Sequence, residues 1–261
     1  MSSPSSSSSS SPLLSVQLYS VRRQLDDDLA GTIATVAGLG FTAVEPYNFA
    51  QNAGALGAAL SANNLVAPSG HAPLLRSDQE ETFTAAKALG ITTVIDPFIP
   101  AERWATLESI VQIAQELNAA AAKGAEYGVA VGYHNHWWEV ETVVDGRTAL
   151  EQLADRLDPA VVLEVDTYWA AVAGQDPAEL LRRLGDRVKF VHLKDGPLTT
   201  EPLDQLPAGE GKVDIPAILA AAPQLSAGVV EFDDYRGDIF AGLGTSLSYL
   251  RTLTTEGEAQ A

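Results

Sequence analysis

The chain has no cysteine. Disulfides, thiolate metal sites and a cysteine nucleophile are therefore excluded. Methionine occurs once, and aromatic residues make up only 7%. Basic residues are scarce, with 16 Lys+Arg against 34 Asp+Glu and a formal charge of −18. Such a surface repels phosphate backbones and anionic lipid, so neither nucleic acid nor a membrane is expected as a partner. No run approaches the ~20 apolar residues that a transmembrane helix needs. Positions 2–11, nine serines and one proline, do not read as a secretory signal, and none is expected. Residues 1–12 read as a disordered tail, 13–253 as one catalytic domain and 254–261 as a frayed end. The expected location is cytoplasmic.

Hydrophobic residues make up 46% of 261 positions, enough to bury a sizeable core. Short β-branched runs alternate with alanine- and leucine-rich stretches of helical period. Expected strands are Leu14–Tyr19, Phe41–Glu45, Leu65–His71, Ile91–Ile95, Val129–His134, Val161–Asp166, Val188–Leu193 and Gly228–Phe232. Each is followed by a helix. The third helix is expected to start in a capping box of Ser77 and Glu80. Eight βα units at this length imply a single (β/α)8 TIM barrel. A doubly wound sheet would offer a glycine-rich first turn, whereas the first turn here is Tyr19-Ser20-Val21-Arg22.

Active sites of such barrels lie at the C-terminal ends of the strands. All four histidines, His71, His134, His136 and His192, fall at or just past expected strand ends. Glu45, Asp96, Asp166 and Glu231 occupy other strand ends. His134, Asp166, His192 and Glu231 come from four consecutive strands, and imidazole with carboxylate suits a divalent metal. Any one of them alone reads as a polar residue at the barrel rim. Strand alternation puts His136 on the side of His134, so His136 and Glu139 are expected to meet substrate. Glu164 lies one layer below Asp166 and needs a partner. Lys194 either holds a substrate oxygen or neutralises Asp166 or Glu231. Trp137, Trp138 and Trp169 flank these segments, and aromatic walls beside hydroxyl-binding groups suit a sugar. Tyr19, Glu45 and His71, at the first three strand ends, complete the expected substrate contacts. Arg22 and Arg236 are the obvious anchors for an anion.

Seven segments in order carry a resemblance. They are Gln17-Leu18-Tyr19-Ser20-Val21-Arg22, Gly40-Phe41-Thr42-Ala43-Val44-Glu45, Tyr133-His134-Asn135-His136, Asp166-Thr167-Tyr168-Trp169, His192-Leu193-Lys194-Asp195, Gly209-Glu210-Gly211 and Val230-Glu231-Phe232-Asp233. Together they resemble the sugar phosphate isomerase/epimerase family of xylose-isomerase-like barrels, on the inosose-dehydratase and keto-sugar side. The resemblance implies one divalent ion, manganese first, with Co2+, Zn2+ or Mg2+ as substitutes. It implies Asp166, His192 and Glu231 as ligands, with His134 where the family usually has glutamate. It implies a sugar or polyol ketone as substrate and a metal-dependent isomerase or epimerase as the activity. Glu231 would be the base, and His136 or Lys194 would serve the other face. A lyase that expels a β-hydroxyl uses the same residues, and a non-catalytic sugar-binding barrel is the third reading. A homo-oligomer is compatible with all three.

Overall fold

The computed structural model describes residues 12–259, so the expected tail lies, but for Pro12, outside the described residues. Eight parallel strands form one sheet: β1 (Leu13–Gln17), β2 (Ala43–Glu45), β3 (Ser69–His71), β4 (Thr93–Asp96), β5 (Ala130–His134), β6 (Val161–Asp166), β7 (Val188–Leu193) and β8 (Ala227–Val230). Except at β2 and β3, each strand pairs with its neighbour in chain order, and β8 returns to β1. The seam between β2 and β3 is closed by parallel bridges, Ala43 to Val66 and Tyr47 to His71. The result is the TIM barrel expected from the alternation.

The helix of each unit follows its strand: α1 (Leu29–Gly38), α2 (Ala53–Ala62), α3 (Gln79–Leu89), α4 (Leu107–Tyr127), α5 (Ala149–Ala154), α6 (Pro177–Leu184), α7 (Ile215–Ala221) and α8 (Ile239–Ala259). The α3 cap differs from expectation. Asp78 accepts from the N–H groups of Glu80 and Glu81 at 2.9 and 3.2 Å, because a carboxylate two residues upstream reaches them directly. The helical backbone of α8 continues beyond Leu253 to Ala259. No proline follows Leu253 to stop it.

Two apolar cores divide the barrel. The larger lies between the strands and the helices. The smaller is the barrel's own plug, Ile95, Phe190, Ala227 and Val229, with Leu13 and Val162 against it. Above the plug the inward positions turn polar. Gln17, Glu45, Ser69, His71, His134, Glu164 and His192 are all buried there. Strand alternation explains the stacking: Val162, Glu164 and Asp166 climb one face of β6, and Phe190 and His192 climb β7. Three short helices, Arg22–Asp27, Trp138–Glu141 and Thr167–Val172, follow β1, β5 and β6 at the mouth.

Candidate metal centre and active site

The lower polar layer is organised by Glu164, which sequence reasoning left without a partner. Its Oε2 receives three imidazoles: His71 Nε2 at 2.5 Å, His134 Nδ1 at 3.1 Å and His192 Nε2 at 3.1 Å. Glu45 lies beside it. Glu45 Oε1 accepts from Gln17 Nε2 at 2.8 Å and faces His192 Nε2 at 2.9 Å, and Oε2 accepts from the Ser69 hydroxyl. Burial pushes the Glu45 carboxyl up, and repulsion from Glu164 adds to it. Burial acts the same way on Glu164, but His192 and His71 outweigh it and hold this carboxyl well below its usual range. The imidazoles respond unequally. Burial and the neighbouring His192 bring His134 down to about 3. Burial also opposes the charge on His71 and on His192. Glu45 and Glu164 overcome it at His71, and Glu164 and Glu231 overcome it at His192, so both rise above their ordinary value.

The upper layer is built from carboxylates around an ammonium. Lys194 Nζ lies 2.8 Å from Asp166 Oδ2, 2.6 Å from Glu231 Oε2 and 2.7 Å from Asp233 Oδ2. His192 joins the layers, since its Nδ1 faces Glu231 at 2.7 Å and Asp166 at 3.9 Å. Asp166 is the last residue of β6 and also the N-cap of the helix after it, accepting from Trp169 N–H at 2.9 Å. Burial lifts its carboxyl to about 6 against the pull of Lys194 and His192. Burial would also lift Glu231, but Lys194 and His192 hold it well below the carboxylate range.

The expected ligands divide. Asp166, His192 and Glu231 offer donor atoms within 4.8 Å of one another, whereas His134 belongs to a second such group with His71, Glu164 and His192. His134 is separate because its Nδ1 turns down to Glu164 and its Nε2 stays 3.7 Å from Asp166. The donors fit a divalent ion of borderline softness. Glu164 Oε1 is buried without a hydrogen-bond partner, and the close partner of Asp166 Oδ2 is the Lys194 ammonium at 2.8 Å.

A cavity of about 260 Å3 opens above these layers, with Tyr19, His71, His134, His136, Glu231 and Asp233 on its walls. Tyr47, Asn48, Pro97 and Phe98 also line it. Sequence reasoning missed these four, and their only signal is position just past β2 and β4. A wider cleft of about 540 Å3 shares Tyr19, Phe98, His136 and Asp233 and adds Arg22, Trp137, Trp138 and Trp169. His136 stacks on Trp138 with ring centroids 4.4 Å apart and planes 6° off parallel. Burial keeps His136 neutral, and its Nδ1 has no hydrogen-bond partner.

Three expected contacts lie off the cavity walls. Glu45 is fully buried in the lower layer. Glu139 is fully buried as well, bonded to Tyr133 Oη at 2.6 Å and to the backbone N–H of His136 at 2.8 Å. Lys194 is 2% exposed, lines neither cavity and is ion-paired with Asp166 and Glu231. Among the anion anchors, Arg22 lines the wider cleft, and Arg236 pairs with Asp204 at 3.1 Å.

Residues 33–251 match the xylose isomerase-like TIM barrel. The chain belongs to that family. An inosose dehydratase of Geobacillus kaustophilus is 41% identical over 80 residues, which are 30% of this chain and 25% of that protein. The matched stretch is thus a quarter of that relative's length. Among solved structures, a sugar phosphate isomerase/epimerase from Parabacteroides distasonis superposes with a TM-score of 0.79 at 22% identity, covering 95% of this chain and 96% of that one. A xylose isomerase-like barrel from Mycobacterium smegmatis, in complex with magnesium, gives 0.66 at 16% identity over 87% of this chain and 88% of its own. These two likenesses concern the fold.

Proposed function

We propose that the chain is a lyase removing water from a keto-sugar or polyol ketone, beginning with abstraction of the proton beside the carbonyl. The observation that carries this reading is a pair of groups on one cavity wall whose surroundings push them apart. Glu231 is held as carboxylate and His71 is favoured as imidazolium. Such a divergence assigns a base and an acid. Glu231 takes the α proton. As the carbon–carbon double bond forms, the β C–O bond breaks, and His71 gives its proton to the departing hydroxyl. Transfer of the proton from Glu231 back to His71 through water resets the pair. His136 Nδ1 accepts a substrate hydroxyl, and Trp138 and Phe98 offer apolar faces to ring C–H groups. At about 260 Å3 the inner cavity is smaller than the ~300–1,000 Å3 of drug-sized sites, which suits one ring.

A divalent ion held by Asp166, His192 and Glu231 would supply Lewis acidity at the substrate's carbonyl. Manganese as that ion and a cytoplasmic location are finer parts of the same proposal. The name of the Geobacillus relative supports dehydration. Epimerisation is the second reading, favoured by a further imidazole, His136, lining the same cavity, across which a proton can return.

The test is proton NMR of inososes and other keto-polyols with enzyme and Mn2+ in D2O. The expected result is solvent deuterium at the α carbon together with loss of water. Glu231→Gln should abolish both. His71→Asn should keep exchange and slow water loss by about 10²–10⁴, the usual scale of general acid catalysis. Exchange with epimer formation and no dehydration would move the assignment to epimerase. No exchange with any keto-polyol would remove the enzymatic reading.

A further inference from the structure

Lys194 is the one buried cation of the upper layer that the proposed reaction does not use. It stands one residue past β7, two beyond His192, so both side chains point into the barrel. Lysine is almost never fully buried unless paired. Here the ammonium has three carboxylate oxygens within 2.6–2.8 Å, from Asp166, Glu231 and Asp233. Two of these carboxylates, Asp166 and Glu231, also belong to the candidate metal group. An ion bound to both at ~2.0–2.2 Å would stand against the ammonium, like charge on like charge. The two cations exclude one another.

The third carboxylate differs from the other two. Asp233 is the outermost, with 23% of its side chain exposed against 0% for Asp166 and 6% for Glu231. It belongs to neither candidate metal group. Its Oδ2 also accepts from Gln205 Nε2 at 2.6 Å, and its backbone N–H donates to Gln205 Oε1 at 2.8 Å, so it is fixed from two sides. The flexible four-carbon stem of lysine lets its ammonium shift by a rotamer while keeping one of these partners.

We infer that Lys194 is a built-in counter-cation of the Asp166–Glu231 pair, and that a divalent ion binds there only as the ammonium withdraws to Asp233. This rests on the metal site of the proposed function. It makes Lys194 a determinant of metal affinity and Asp233 the seat that receives it.

The experiment is calorimetric titration of chelator-treated protein with MnCl2, for wild type, Lys194→Met and Asp233→Asn, with circular dichroism to check folding. Lys194→Met should bind Mn2+ at least tenfold more tightly, and Asp233→Asn several-fold more weakly. If Lys194→Met binds no more tightly than wild type, the inference is overturned while the metal site stands. If wild type takes no Mn2+ and Lys194→Met does, the inference holds and the metal part of the proposed function falls. If neither binds, both fall. Should Lys194→Met not fold, Asp233→Asn decides: affinity equal to wild type overturns the inference, and loss of affinity upholds it.

Discussion

His134 and His192 have ring centroids only 4.4 Å apart, yet their surroundings drive them in opposite directions. Position relative to the carboxylates explains the difference. His192 faces Glu45 and Glu164 with one nitrogen and Glu231 with the other, so it keeps its proton against burial. His134 meets one carboxylate closely, Glu164, and burial with the charge on His192 brings it down to about 3. This has a consequence for acid stability. Between about pH 6.5 and pH 3 an unfolded His134 holds a proton that the folded one rejects. The unfolded state binds more protons in that window, so stability falls as pH falls through it. His134→Gln removes this dependence. Urea midpoints measured in chelator from pH 7 to pH 4 should therefore decline less steeply in the variant, by up to one proton's worth of slope. Equal slopes would mean that His134 titrates normally in the folded state.

At the scale of elements, one carboxylate ties the loop after β7 to the barrel. Asp195 accepts backbone N–H groups from Gly196, Gly209, Gly211 and Val213 at 2.8, 2.9, 3.0 and 3.0 Å. Gly211 fits because it has no side chain; a Cβ there would lie 2.0 Å from Asp195 Oδ1 and 2.2 Å from Gly196 N. Gly211→Ala should push the loop off this anchor and lower stability by about 1–3 kcal/mol, the usual cost of overpacking. The same loop carries Gln205 to Asp233, so Mn2+ affinity should change with it. An unchanged denaturant midpoint would show that the loop yields freely. The His192-to-Asp195 and Gly209-to-Gly211 segments are separate in the sequence, and only the fold reveals them as one joint. Other features were legible directly. β6 and β7 have the bounds expected from their β-branched runs, because valine, leucine and phenylalanine still dominate around Glu164 and His192. The helix Thr167–Val172 was missed because Asp166 ends the strand and caps the helix at once, leaving no turn residues to mark it. The candidate ligands were legible as types at strand ends. Their division into two layers was not, since it depends on which imidazole nitrogen faces Glu164.

For the whole molecule, the barrel is least continuous at the seam between β2 and β3. β6 and β7 pair over much of their length, whereas β2 and β3 meet through isolated bridges. Few backbone bonds cross there, among them Val44 N–H to Val66 O at 2.9 Å and His71 N–H to Pro46 O at 2.7 Å. Side chains inside the barrel make up for it. The Ser69 hydroxyl on β3 donates to Glu45 on β2, and His71 Nε2 lies 3.2 Å from the same carboxylate. The acid network under the cavity is thus also part of what closes the barrel. Ser69 is fully buried, so Ser69→Ala leaves a Glu45 oxygen unsatisfied and should cost about 1–3 kcal/mol. Where that cost falls distinguishes a local staple from a general one. A staple at the seam predicts that the amides of Val44, Val66 and His71 exchange with solvent about fivefold to a hundredfold faster in the variant, following the same energy. Amides between β6 and β7 should keep their wild-type rates under native conditions. Uniform acceleration across all eight strands would instead make the network a support of global stability, with no special part in closing the seam.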